Sequence, residues 1–375
     1  MVGTECRSFL DHFAQVNDPR VVKRCDHKLL DILFVALCAA ICGADDFCEI
    51  EIWAKARLDW LKKYLDLPFG IPTHDTFNRV FQAIDPDQFF DCFRKWVMPL
   101  CESLQVKLIA VDGKTARATL DRKKGKKALH VVSAWASEAH LLLGQTTTDE
   151  KSNEITAIPR LLELLDLHGA IVTIDAMGCQ KEIAAKIRER GGDYVLAVKG
   201  NQEHLEDDVI AAFAAESEKA DNTISRYSTK EKGHGREETR VVETMPVPET
   251  VRNQDEWKDL KSIGRVIRMY REHGQEKADV RYFISSLESR VKLFGKAVRS
   301  HWDIENGLHW TLDMYFGEDR HRARTENAAA NFALLRRWVL SLLRQNTTVK
   351  GGLNKKRFQA GLDTRNLEKL LGVES

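Results

Sequence analysis

The sequence predicts an α/β core in which antiparallel strands are continued by parallel ones. Three observations predict it. A short apolar run, Val106 to Val111, stops at Asp112-Gly113; it is too short for a globular helix and reads as a buried strand ending in a turn. A second such unit, Ala170 to Ile174, runs into Asp175. Between and after these two, alternating and helical-period stretches follow one another in the order β-β-β-α-β-α-β.

Taken in order, residues 1–104 read as an N-terminal helical domain. Lys28–Cys42 is a buried helix ended by Gly43, Asp45-Asp46 precede another through Tyr64, and Thr73 caps a helix carrying Phe77, Val80, Phe81 and Ile84. Asp85-Pro86 breaks that helix, and Phe89, Phe90, Phe93, Trp96 and Val97 stripe the next. The domain is a small helical platform with possible DNA binding; its second helix shows an apolar stripe and few basic residues.

Residues 105–219 form the first part of the core. Strand 106–112 precedes a basic turn, then strands His130–Trp135 and Leu141–Thr147 form a meander. Ile155, Ile158, Leu161, Leu162 and Leu165 mark a helix, strand 170–175 follows, and Ile183, Ala184 and Ile187 mark another helix before strand Tyr194–Val198. This is the strand order of a ribonuclease-H-like fold. It would set the first and fourth strands side by side, with Asp112 and Asp175 at their C-terminal ends, where open α/β sheets bind ligands. Residues 220–290 read as a β-rich insertion, with strands at Ile224–Ser228, Glu238–Glu243, Ser262–Tyr270 and Val280–Ser285. Residues 291–375 complete the core with helices Phe294–Leu312 and Ala328–Leu343 and a basic C-terminal region.

Composition bounds the function. With 375 residues, 43% hydrophobic and 30% charged, the chain suits a soluble protein of two or three units. No secretory signal pattern is visible, and the most apolar stretch, Leu29–Cys42, contains Asp31 and falls short of the roughly 20 residues of a membrane span. Eight cysteines without a C-x-x-C pair read as free thiols in a reducing cytoplasm. Net charge is +1, but it is unevenly spread: Lys114–Lys127 carries +6 and Arg320–Ala360 carries +9, leaving −14 elsewhere. Basic segments beside carboxylates suit a polyanion held against a metal site.

The third carboxylate is Glu305, in the helix VRSHWDIENGLHWTLD, whose spacing gathers His301, Trp302, Leu308, His309 and Leu312 on the same core-facing side. A carboxylate there must pair, neutralise or bind a cation. His301 or His309 at i±4 is one partner, a metal another.

VDGK, DEKSNEITAIPRLLELLDLHGAIVTIDAMGCQKEIA, GGDYVLAVKGNQ, KGHGREETR and HWDIENGLHWTLDM resemble the H-repeat-associated insertion-sequence transposases, a branch of the DDE transposases with a β-insertion before the final Glu. The likeness reaches KLLDILFVALCAAICGA and IPTHDTFNRVF near the N-terminus. It implies Asp112, Asp175 and Glu305 as catalytic, metal-holding triad and transposon-end and target DNA as substrates. The expected cofactor is Mg²⁺, with Mn²⁺ substituting, and the expected assembly is a homodimer on double-stranded DNA. The protein would be cytoplasmic, nucleoid-associated when bound, with no membrane contact. Two such ions about 3.5–4 Å apart activate the attacking hydroxyl and stabilise the leaving oxygen.

Relatives often carry Tyr, Arg, Glu and Lys at −7, −4, 0 and +7 about that Glu; this chain has Val298, His301, Glu305 and Leu312. Arg299, His301 and His309 are the expected substitutes on DNA, together with Lys114, Arg117 and Lys199, while Trp302 either packs in the core, the commoner role, or stacks on an unpaired base. The alternatives are a DNA nuclease without joining activity and an inactive DNA-binding relic.

Overall fold

The computed structural model describes residues 11–104, 106–120, 127–148, 154–233, 236–272 and 275–372. Its central strand runs further than expected: β1 covers Leu108–Ala116. Two neighbours of unequal length explain this. β2 (Leu129–Ala136) pairs antiparallel along Ile109–Ala116, whereas β4 (Ile171–Ile174) pairs parallel along Leu108–Val111 only. The hairpin partner satisfies the backbone beyond Asp112, so Asp112-Gly113 is strand rather than turn. β3 (Leu141–Thr147) lies outside β2, and β5 (Asp193–Val198) continues the parallel side.

The strands of the expected insertion join this same sheet. β6 (Ser225–Gly233), β7 (Arg236–Pro246), β8 (Ser262–Glu272) and β9 (Gln275–Ser285) form a meander, and β9 pairs antiparallel with β5. The result is a nine-stranded sheet in the order β3-β2-β1-β4-β5-β9-β8-β7-β6.

Helices cover both faces. α6 (Glu154–Glu163) and α7 (Lys181–Glu189) bury Ile158, Leu161, Ile183 and Ile187 in one core with Val172, Ile174 and Leu196. On the opposite face, Phe294 and Ala297 of α9 (Val291–Asp303) pack with Leu108, Ile171, Val195 and Phe283. The alternation of β4 between the two cores follows from the period-2 pleat. Between these two helical stretches the chain adds α8 (Glu203–Ser217), which the sequence reading leaves unassigned although Leu205, Val209, Ala212 and Phe213 recur at helical spacing and are buried.

The N-terminal helices do not stand apart. They are α1 (Leu29–Ile41), α2 (Phe47–Ala56), α3 (Leu58–Leu61), α4 (His74–Ala83) and α5 (Pro86–Leu104), and α1 buries every residue but Leu30. The Thr73 hydroxyl accepts the Thr76 N–H, capping α4 as expected. α1, α2, α4 and α5 close around α11 (Ala328–Gln345), whose Trp338 stacks on Phe13 at 4.2 Å and meets Phe93 edge-on at 5.1 Å. α10 (Trp310–Phe316), α12 (Leu353–Leu362) and α13 (Thr364–Leu371) complete the described chain.

The basic segment Arg320–Ala360 departs from expectation. Arg336, Arg337, Lys356 and Arg357 are buried. Arg337 pairs with Glu318, Arg357 reaches the Ala40 carbonyl and Asp45, and Lys356 donates to the Leu343 carbonyl. These four cations are internal ties and not phosphate ligands, because α11 and α12 turn them into the core. Of the other basic run, Arg122, Lys123, Lys124 and Lys126 lie outside the described residues. Among the described residues no helix is long and apolar enough to cross a membrane, and Cys25, Cys38, Cys42, Cys48, Cys92 and Cys179 are free thiols.

Candidate metal and nucleic-acid site

The sheet register sets Val111 opposite Ile174, so Asp112 and Asp175 are the next residues on adjacent strands, at the point where β4 ends. Both lie on the face of Thr173, away from α6 and α7. Asp112 Oδ1 accepts the Gly113 N–H at 2.9 Å, and Asp175 Oδ1 accepts the N–H groups of Met177 at 3.1 Å and Gly178 at 3.3 Å.

The third carboxylate arrives on an irregular helix. α9 passes into a π-helical turn, Ile304–His309, before α10, and the Trp310 N–H bonds back to the Glu305 carbonyl. The extra residue in that turn shifts the faces that a regular 3.6-residue period would align, and such turns recur at functional sites. Leu308 and His309 are buried, but Glu305 stands 57% exposed at the rim, so the expected core-facing placement is corrected. His309 Nδ1 lies 3.3 Å from Glu305 Oε2 and 3.5 Å from Asp112 Oδ2, while its buried Nε2 has no hydrogen-bond partner. Asp112, Glu305 and His309 thus offer ligand atoms within 4.8 Å of one another. Asp175 is beside this group and not part of it.

Burial, only partly offset by His309 and the Gly113 N–H, pushes Asp112 up to about 6, and Asp175 and Glu154 push the same way. Burial also raises Asp175. Glu305 is lowered, chiefly by its hydrogen bond with His309. Two aspartates that resist ionisation beside a carboxylate that favours it make an anionic centre short of cations.

The residues expected on DNA scatter. Lys114 is drawn to Asp313 at 2.8 Å and Asp319 at 3.4 Å, while Arg117 is 85% exposed with Asp319 3.7 Å away. His301 turns inward, its Nδ1 3.1 Å from Thr173 Oγ1, and burial lowers it to about 4, leaving it neutral at pH 7. Arg299 pairs with Glu231 at 2.8 Å. Trp302 is exposed, and Lys199 is exposed beside Asp175 on a cavity of about 610 Å³ that Arg281, His301 and Trp302 also line.

Two features escape the sequence reading. Glu154 Oε1 lies 2.8 Å from His130 Nε2, and both side-chain ends close over the Cα of Gly113 where a Cβ would stand. The DEKSNE string contains that Glu without revealing its partner. Arg281 faces the cavity from β9; the alternation of VRYFIS places it with Phe283, but its nearness to Trp302 is a tertiary fact.

The family model described as "Transposase DDE domain" matches residues 105–342, and the one described as "DDE_Tnp_1-associated" matches residues 10–97. The chain is 43% identical over 375 residues to "Putative transposase YncI" of Escherichia coli O157:H7, covering 97% of this chain and 94% of that one. It is 40% identical over 372 residues to "H repeat-associated putative transposase YhhI" of Escherichia coli (strain K12), covering 98% of each.

Proposed function

The chain belongs to the DDE transposase family, and we propose that it cleaves transposon-end DNA and joins the freed strand to target DNA, using a divalent metal held by Asp112, Asp175 and Glu305. The observation that carries this reading is the convergence of Asp112 and Glu305, from opposite ends of the matched domain, around a buried imidazole. The order β3-β2-β1-β4-β5 is read as a ribonuclease-H-like core, with β6–β9 inserted before the catalytic Glu.

The residues fit a divalent cation. Asp112 is desolvated without a full counter-charge, and the His309 Nδ1 faces both it and Glu305. Hard carboxylate oxygens suit Mg²⁺ and Mn²⁺, and an imidazole tolerates Mn²⁺ better than Mg²⁺. When bound, such a cation supplies Lewis-acid polarisation of the phosphoryl oxygens and lowers the pKa of the attacking hydroxyl. The chain's own residues orient the reaction. Met177 and Gly178 N–H groups fix one Asp175 oxygen, Gly113 fixes one Asp112 oxygen, and His309 holds Glu305 toward Asp112. Lys114, tethered by Asp313 and Asp319, adds positive charge that favours ionised Glu305. Lys199, at the cavity mouth, meets phosphate. The working assembly is a cytoplasmic homodimer on DNA.

The test is a cleavage and joining assay on the element's own end with Mg²⁺ or Mn²⁺. Cleavage followed by joining of the 3′-hydroxyl to a second duplex is the expected result. Cleavage without joining makes the protein a nuclease, and binding without cleavage makes it a relic.

A further inference from the structure

β9 brings Arg281 onto the sheet face of the carboxylates. Thr173 pairs with Val195, Val195 with Ser285, and alternation along β9 returns Phe283 and Arg281 to that same face. The guanidinium sits over the Trp302 ring at 4.6 Å from its centroid. Among the described residues, no carboxylate or carbonyl accepts a hydrogen bond from it. Its neighbours are otherwise engaged: Arg240 and Arg268 share Glu238, and Arg299 holds Glu231. Asp279, on the same face, lines the cavity with Arg281 without an ion pair to it.

Arg281 also bridges two spaces. It lines the 610 Å³ cavity with Asp175 and Lys199, and a smaller one of about 140 Å³ with Arg240 and Arg268, so a groove leads from Asp175 across β9 and β8. A guanidinium resting on an aromatic ring keeps its N–H edge free for the two oxygens of a phosphate. His301, from which a phosphate contact is expected, points to Thr173 instead. We infer that Arg281, backed by Trp302, is the cation that grips a phosphate of the DNA strand lying against Asp175. This rests on the reading that DNA enters this cavity.

The experiment is a salt titration of binding in EDTA, where cleavage is absent, with a duplex carrying the element's own end and a scrambled duplex. Each phosphate contact contributes about −0.9 to the slope of log K against log salt. Arg281→Ala is expected to make the slope shallower by about one unit on both duplexes, because a phosphate contact carries no sequence information. Arg281→Lys is expected to restore the slope, and Arg252→Ala, which removes an exposed partner of Asp208, to leave it unchanged. Circular dichroism checks folding, with Arg281→Gln replacing the Ala variant if that one is unfolded. A folded Arg281 variant with the wild-type slope overturns the inference. Wild-type protein that shows the one-unit difference yet never cleaves removes the transposase chemistry and leaves the Arg281 contact standing. Wild type that binds neither duplex overturns both.

Discussion

Two clusters of charge flank the π-helical turn, and they solve the same problem in opposite ways. Glu318 is enclosed, and burial alone would push its carboxyl up; Arg337 and Arg336 outweigh burial and hold it low. Arg337 pairs with it directly, and Arg357 ties Asp45 and Ala40 of the N-terminal helices to the same region. Asp112 is also mostly buried, yet among the described residues its partners are a shared imidazole and one backbone N–H, and it is raised to about 6. The first cluster is closed and serves the fold. The second is short of positive charge and open at Glu305. A carboxylate left under-compensated at the end of two strands lowers stability, and an arriving cation relieves it.

The largest test of that contrast is Asp112→Asn. Cleavage is expected to fall to background while the fold is kept. Stability should also lose the part of its pH dependence that Asp112 carries. Because the folded pKa of Asp112, about 6, lies above its ordinary 3.8, its stabilising contribution is complete below about pH 4 and lost as pH rises through 6. The loss is about 3 kcal/mol at most. Thermal or urea unfolding across that range should show a shallower slope in the variant than in the wild type, the remainder belonging to groups such as Asp175 that burial raises in the same direction. Mg²⁺ or Mn²⁺ at pH 7.5 should raise the wild-type midpoint and leave the variant unmoved. An equal midpoint shift in both would remove Asp112 from the metal site.

The closed cluster should respond in the reverse sense. Glu318→Gln strands Arg337 in the core and is expected to cost about 3–5 kcal/mol in urea unfolding. Glu318→Leu with Arg337→Met should recover part of that loss, since Arg337 is then no longer stranded while Arg336, which Glu318 also balances, stays buried. A single variant as stable as the wild type would mean that water reaches Arg337 and that the cluster is not closed.

The smallest effect concerns cations outside both clusters. Replacing Lys123, Lys124, Lys126 and Lys127 by Ala should flatten the salt dependence of DNA binding by up to about four units, alike on end and scrambled DNA. Replacing Lys350 and Lys355, the exposed lysines of the Arg320–Ala360 segment, should flatten it by at most about two. A wild-type slope in the four-site variant would show those lysines to be solvated.

Much of this was legible in the residues. The apolar runs ending at Asp112 and Asp175, the Thr73 cap, the all-round apolar α1 and the aromatic stripe of α5 are local patterns that survive folding, because period and capping act within a few residues. The resemblance in DEKSNEITAIPR and HWDIENGLHWTLDM pointed to the family that the matches then gave.

What depended on distant partners was not legible. β1 outran its expected turn because β2 supplies hydrogen bonds there and β4 does not. The basic count of Arg320–Ala360 overstated the exposed charge, since a sequence does not say which arginines find Glu318 or Asp45 across the fold. The π-helical turn, which sets Glu305 at the rim and His309 against Asp112, has no pattern of its own in the residue spacing. The sequence by itself determined the elements and the carboxylates they carry. The tertiary structure decided which charges are neutralised and which stay open, because that balance depends on partners brought within a few ångströms only when the sheet and helices close.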